Sequence, residues 1–148
     1  MQQYDDSRGE RRLLDIKLMN VEDAKDYYLQ FHNDDKKREQ KTKELEERIE
    51  RNAVISEVFE WVLSIKLKTG KLIGKIEVLS VGNSTGFITI KIPNESSSLK
   101  YGVKVIDQFI EICRENNYFS KIQLEPNNEI VERYKKAYNK EENVIQVA

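Results

Sequence analysis

Hydrophobic and polar positions alternate through Leu14, Ile16 and Leu18, the period of a strand with one buried face. Asn20 follows as a helix N-cap, with Asp23 three residues on placed to bond back, and Val21, Ala24, Tyr27, Tyr28 and Phe31 mark a short helix. Between Asp34 and Arg51 seven acids and seven bases surround a narrow stripe of Leu45, Ile49 and Ala53. Glu39/Lys43, Glu44/Arg48 and Glu47/Arg51 stand in the favourable i, i+4 order, so this segment predicts a solvated helix that lays one face on the domain. Three alternating runs come next, "VFEWVLSIKL", "KLIGKIEVLSV" and "GFITIKI". The turn signals Lys68-Thr69-Gly70-Lys71 and Gly82-Asn83-Ser84-Thr85-Gly86 join them, and such short links make an antiparallel meander. A polar, serine-rich loop then leads to a helix carrying Val103, Ile106, Phe109, Ile110 and Cys113 at spacings of three and four, ending near Asn116-Asn117. "SKIQLE" reads as a strand, "NEIVERYKKAY" as a helix and "NVIQV" as a last strand.

The order β-α-α-β-β-β-α-β-α-β predicts an α/β (α+β) domain, with a mixed sheet and helices packed on its faces. Residues 1 to about 10 are unpatterned and read as a flexible tail, leaving 11–148 as a single domain. At 148 residues the chain buries a continuous core without disulfides. Its 25 basic and 26 acidic side chains nearly cancel, so no global field gathers polyanions and nucleic acid is not the expected partner. Cys113 is the only cysteine and falls on the buried stripe of its helix, which excludes an intramolecular disulfide and a thiolate metal cluster and reads as a core residue. No apolar run approaches the roughly 20 residues that span a bilayer, and "MQQYDDSRGE" has no signal-peptide hydrophobic region, so a cytoplasmic protein with no membrane partner and no metal is expected.

A helix that starts just after a strand offers unpaired amides and the positive end of its dipole, a setting suited to a diphosphate. The segment Ile90 to Gly102 has this form, and it is here that a family likeness enters. The element order, with the run Trp61 to Val78 and its Gly74, resembles the central hairpin of the GNAT superfamily of acetyl-CoA-dependent N-acetyltransferases. Ile90, Lys91, Ile92 and Pro93 align with that family's strand end, and Tyr101-Gly102 with the last part of its pyrophosphate loop. The family loop reads approximately Gln/Arg-x-x-Gly-x-Gly; Ser97 stands at its first position, Lys100 at its first glycine and Gly102 at its last. "EPNNEIVERYKKAY" resembles the family's "N…Y" helix, with Asn127 seven residues before Tyr134 and Asn128 the less favoured match at six; Tyr138-Asn139 replaces its "GF".

The resemblance implies a mainly antiparallel sheet of six to seven strands flanked by about four helices. It implies acetyl-CoA as co-substrate, an amine acceptor that is a small molecule or a protein, and pairing into a homodimer. The diphosphate would meet amides from Ser97 and Ser98 through Leu99, Lys100, Tyr101 and Gly102 to Val103, and the pantetheine arm would pair with Ile90, Lys91 and Ile92. Tyr134 would be general acid to the coenzyme's sulfur, with Asn127 holding the cofactor or a water beside it. Glu77, or Glu60 near it, is the carboxylate placed to act as base through water. Phe87 stands where many relatives carry a glutamate.

Other chemistry has less support. His32, the only histidine, lies at a helix end with no Gly-x-Ser-x-Gly elbow in the chain. Asp5-Asp6 and Asp34-Asp35 lack calcium-loop spacing, and Asn83-Ser84-Thr85 is a turn. Two functions remain open: an N-acetyltransferase, or a non-catalytic binding or regulatory protein on the same scaffold with a decayed cofactor loop.

Overall fold

A computed structural model describes residues 13–32, 36–51 and 60–147 of the chain. The elements are β1 (Leu14–Leu18), α1 (Val21–Phe31), α2 (Arg38–Arg51), β2 (Glu60–Leu67), β3 (Leu72–Ser80), β4 (Thr85–Lys91), α3 (Glu95–Asn116), β5 (Lys121–Leu124), α4 (Glu129–Ala137) and β6 (Val144–Gln146). The alternation pattern predicts this order. The N-terminal tail, Asp34-Asp35, Ala53 and the first two residues of the second strand run, Val58 and Phe59, lie outside the described residues.

Among the described residues the strands form one six-stranded sheet in sequence order, β1 to β6. Every neighbouring pair is antiparallel except β4 and β5, which are parallel because α3 crosses between them. Asn20 and Asp23 form the expected capping box, the Asp23 N–H reaching Asn20 Oδ1 at 2.8 Å. The two hairpin turns need left-handed backbone at Gly70 and Gly82, both at φ +92°.

Helices cover both faces of the sheet. Trp61, Leu63 and Ile65 of β2, with Ile76 and Val78 of β3, turn toward α3 and α4 and join the main core. Val62 turns the other way and packs with Met19, Ala24 and Leu45 beneath α1 and α2. This is the alternation of a strand buried on both sides, and it puts Lys75 and Glu77, the register partners of Ser64 and Val62, on the α1/α2 face. Cys113 is fully buried in the main core, and burial pushes its thiol up to about 12, which makes it an unreactive core residue. No helix among the described residues is long and apolar enough to cross a membrane.

Two features shape the end of the sheet where β4 meets α3. At Gly74 the β2–β3 register slips, and a Cβ there would overlap the Lys91 carbonyl oxygen and stand 3.0 Å from Ile92 Cγ1, so only glycine lets the end of β4 rest on β3. On its other side β4 pairs with β5 only from Thr85 to Ile88. The Glu125 N–H still reaches the Ile88 carbonyl at 3.2 Å. The chain then turns away through Asn127, held at φ 59°, and the two strands part.

Candidate functional site

Where β4 and β5 part, a cleft of about 560 Å³ opens through the sheet. Tyr27, Tyr28 and Lys75 wall it on the α1 side, and Ile90, Asn128 and Ile130 on the α3/α4 side. Strand alternation directs the N–H and C=O of Ile90 to the same side as the Ile88 carbonyl, into the parting. Asn128 is the N-cap of α4: its Oδ1 accepts from the amides of Ile130 at 2.9 Å and Val131 at 3.4 Å, and its Nδ2 donates to the Ile90 carbonyl at 3.0 Å. One side chain thus ties the start of α4 to the end of β4 and leaves the Ile90 N–H as the main-chain donor of that wall.

The diphosphate loop expected at Ser97 to Val103 is not a loop. Helix α3 starts at Glu95, so Ser97, Ser98, Leu99, Lys100, Tyr101 and Gly102 form its first turns. Asn94 caps it, with Oδ1 accepting from the Ser97 amide at 3.0 Å, and the Ser98 amide already bonds the Asn94 carbonyl at 2.9 Å. The amides from Ser98 to Val103 are therefore spent inside the helix, and those of Glu95 and Ser96 are the ones left without an intrahelical partner. Ser98 does line the cleft, but Arg133 of α4 donates to its carbonyl at 3.2 Å and its hydroxyl at 2.6 Å and straps the two helices together there. Lys100 is exposed, its ammonium 5.3 Å from the Tyr101 ring centre. Gly102 has a packing reason: a Cβ would stand 3.0 Å from Ile130 Cγ2, so glycine lets α4 lie directly on α3.

The expected "N…Y" pair is not brought together. Asn127 is exposed in the turn before α4, outside the cleft wall, and the neighbouring Asn128 takes the position in the cleft. Tyr134 is buried against Tyr138, ring centres 4.9 Å apart, and is not among the lining residues. Its hydroxyl is pushed up by burial and by the Asp107 carboxylate, with Arg114 opposing. Asp107, whose carboxylate also holds the Tyr138 hydroxyl at 2.5 Å, lies nine residues along α3 from Ser98, about 14 Å of helix from the cleft. Tyr134 stands one helical turn beyond the cleft-lining Ile130, on the same stripe of α4.

Glu77 and Glu60 are neighbours, held in one ionic network rather than poised as bases. Lys75 Nζ meets Glu77 Oε1 at 2.6 Å, and Arg48 of α2 reaches Glu60 at 2.8 Å and Glu77 at 3.4 Å. Burial alone would push the Glu77 carboxyl up; Lys75 and Arg48 outweigh it and hold it below the usual carboxylate range, which makes it a poor proton acceptor. Lys75 is 2 % exposed yet lines the cleft, its ammonium 5.0 Å from the Tyr27 ring centre and 5.7 Å from that of Tyr28. Phe87 pairs with Leu79 and Gln123 inside the sheet.

Sequence reasoning missed Lys75 and His32 as cleft residues and ranked Asn128 below Asn127. His32 is the C-cap of α1, as its position at a helix end implies, but its ring also lies 5.2 Å from that of Tyr28 and lines the cleft. Asn128 had a readable signal, an N-cap residue before the acids Glu129 and Glu132 of a first helical turn. Lys75 interrupts an otherwise apolar strand centre, which marks it as a buried charge in need of a partner. No group of three or more metal-ligating side chains occurs among the described residues.

A pantetheine arm fits this geometry, because the parted strands present an N–H on an apolar wall. The extended loop of amides that would cradle a diphosphate is not present. No protein-family model and no curated protein sequence matches the chain. Solved structures do. A spermidine N-acetyltransferase from Vibrio cholerae in complex with CoA and spermine is similar at a TM-score of 0.59 and 14% identity, over 86% of this chain and 76% of that one. An aminoglycoside acetyltransferase in complex with coenzyme A is similar at 0.61 and 15%, over 83% and 81%. A GNAT-family acetyltransferase from Streptococcus pneumoniae is similar at 0.58 and 15%, over 84% and 83%. With a mixed sheet that parts between β4 and β5 and helix pairs on its two faces, the chain has the GNAT acetyltransferase fold.

Proposed function

We propose that the chain is an N-acetyltransferase that takes an acetyl group from acetyl-CoA and passes it to a primary amine. The observation that carries this reading is the parting of β4 from β5 after Ile88 and Leu124, which opens the cleft and turns the Ile90 N–H into it. The structural neighbours in complex with CoA or coenzyme A support a donor of that type, and spermine in one of them supports an amine acceptor. Bound coenzyme would supply the acetyl group as an activated thioester. The chain's own part is to hold the pantetheine arm along Ile90, Lys91 and Ile92 and to aim the Ile90 N–H where negative charge develops. The Glu95 and Ser96 amides would face the diphosphate. With Glu77 held as an ion pair, the neutral amine comes from its own equilibrium in solution, so the rate should rise with pH toward the amine's pKa.

A second reading, a non-catalytic binding or regulatory protein on this scaffold, is favoured by the enclosure of the Ser98 to Gly102 amides within α3. Calorimetric titration with acetyl-CoA, followed by a thiol-release assay over a panel of amines, separates the two. Micromolar binding with amine-dependent thiol release supports the transferase; no binding at millimolar coenzyme leaves the second reading. If Tyr134 is the general acid to the coenzyme's sulfur, Tyr134→Phe should lower kcat more than it lowers coenzyme affinity. An unchanged kcat would remove the phenol from that role.

A further inference from the structure

Among the described residues one buried side-chain nitrogen has no hydrogen-bond partner, Arg133 Nε. Buried polar atoms are nearly always paired, so this one calls for an acceptor that the protein does not itself supply. A guanidinium carries five donors, and the two bonds that this one makes both come from Nη2, to the Ser98 carbonyl at 3.2 Å and the Ser98 hydroxyl at 2.6 Å. Among the described residues no carboxylate pairs with it either. Glu132 beside it meets Lys135 at 3.7 Å, and Glu129, four residues earlier in the order that favours a helical ion pair, is exposed and lines the cleft. Lys91 and Glu129 offset one another across the cleft, and Arg133 remains as a charge with no counter-ion of its own. Its position is at the start of α3. Ser98 lines the cleft about 4.5 Å of helix beyond Glu95, and Arg133 stands directly behind that serine, one turn past the open amides of Glu95 and Ser96.

We propose that Arg133 is the cationic anchor for the coenzyme's diphosphate, supplying from α4 what an extended loop of amides would otherwise supply. Nε and Nη2 share the edge of the guanidinium that a phosphate takes with two parallel N–H···O bonds, and Ser98 engages only the Nη2 end of it. A phosphate there would replace the Ser98 hydroxyl and give Nε its acceptor. That the diphosphate belongs to a coenzyme rests on the transferase reading above; the site for it does not. The test follows the Arg133 Nε–H signal by NMR, assigned through its loss in Arg133→Gln, with inorganic diphosphate as the first probe. Millimolar inorganic diphosphate should shift that signal. Calorimetry then compares acetyl-CoA with its 3′-dephospho form. Arg133→Gln, which keeps an amide donor for Ser98 but no charge, should weaken both by about tenfold or more, and Arg133→Lys should weaken both by less. Urea denaturation of the same variants separates the anchor from a strap between helices: a fall in stability at unchanged coenzyme affinity would leave only the strap and overturn the proposal. An unmoved Nε–H signal would overturn it too, as would a loss confined to acetyl-CoA with the dephospho form spared, which puts the arginine on the 3′-phosphate. If acetyl-CoA fails to bind the unaltered protein while inorganic diphosphate still shifts the signal, the transferase reading falls and the diphosphate site stands.

Discussion

Gly102→Ala separates two tasks that a glycine early in α3 can perform, close helix packing and close approach to a phosphate. An added Cβ would stand 3.0 Å from Ile130 Cγ2 and 3.1 Å from Cγ1. Carbon contacts are comfortable at about 3.5–4.0 Å, so Ile130 has to yield by a few tenths of an ångström. Overpacking of this kind costs about 1–3 kcal/mol, whereas alanine gains about 1 kcal/mol over glycine inside a helix. The net expectation is a loss of about 0–2 kcal/mol, read by urea denaturation. The sign should reverse in an Ile130→Ala background, where the strain is gone and the helix gain remains: there Gly102→Ala should stabilise by about 1 kcal/mol. Acetyl-CoA affinity should be the same with glycine or alanine at this position. If Gly102→Ala instead weakens coenzyme binding tenfold at unchanged stability, and the Ile130 background makes no difference, the packing explanation is wrong and the glycine borders a phosphate.

The remaining predictions follow from the same geometry. Gly74→Ala presses on main-chain atoms of Lys91 and Ile92, which cannot turn aside as a side chain can; it should cost about 2–3 kcal/mol in denaturation, and a neutral result would mean that β4 is not seated on β3 as described. Asn128→Ala removes a helix cap and the donor to the Ile90 carbonyl, costing about 2 kcal/mol, while Asn128→Asp keeps the cap and loses the donor. Hydrogen exchange should therefore quicken at the start of α4 in the alanine protein only, and equal protection in both variants would count against the capping role. Glu77 is depressed in the fold, so its contribution is present above its unfolded pKa near 4.3 and is lost as pH falls through the lower folded value. Glu77→Gln, which strands buried Lys75, should cost on the order of 3 kcal/mol at neutral pH, with the two stability curves converging in strong acid; parallel curves would remove the ion pair as the cause.

The strands and the α1/α2 pair were legible because their signals are local. Leu14, Ile16 and Leu18 alternate, Asn20 and Asp23 cap one helix, and Gly70 and Gly82 supply the backbone that their turns require. Gly74 was readable only by family likeness, and the structure gives it a physical cause in the close approach of β4. The start of α3 was misread because three serines in succession favour turns and caps, while Asn94-Glu95, an N-cap followed by a first-turn acid, was the competing local signal. Leu99, Gly102, Val103 and Ile106 carry the helical period back into the segment taken for a loop.

Tyr134 was legible in part. Its helix and its burial are readable from the stripe of Ile130, Tyr134 and Tyr138, but the rotation of α4 is set by tertiary contacts: Ile130 against Gly102, the Asn128 bridge to Ile90, and the Arg133 strap to Ser98. Those contacts are connected. The close contact of Gly102 with Ile130 and the Arg133 bonds to Ser98 seat α4 on α3, with Tyr134 one turn on from Ile130 along the same stripe and packed against Tyr138. The residue that aligned as the last glycine of a diphosphate loop is, in this fold, what lets α4 lie directly on α3. On the proposed transferase reading, the Ile90 main chain and its Asn128 bridge, with Lys75 across the cleft, are where substitutions should be directed first.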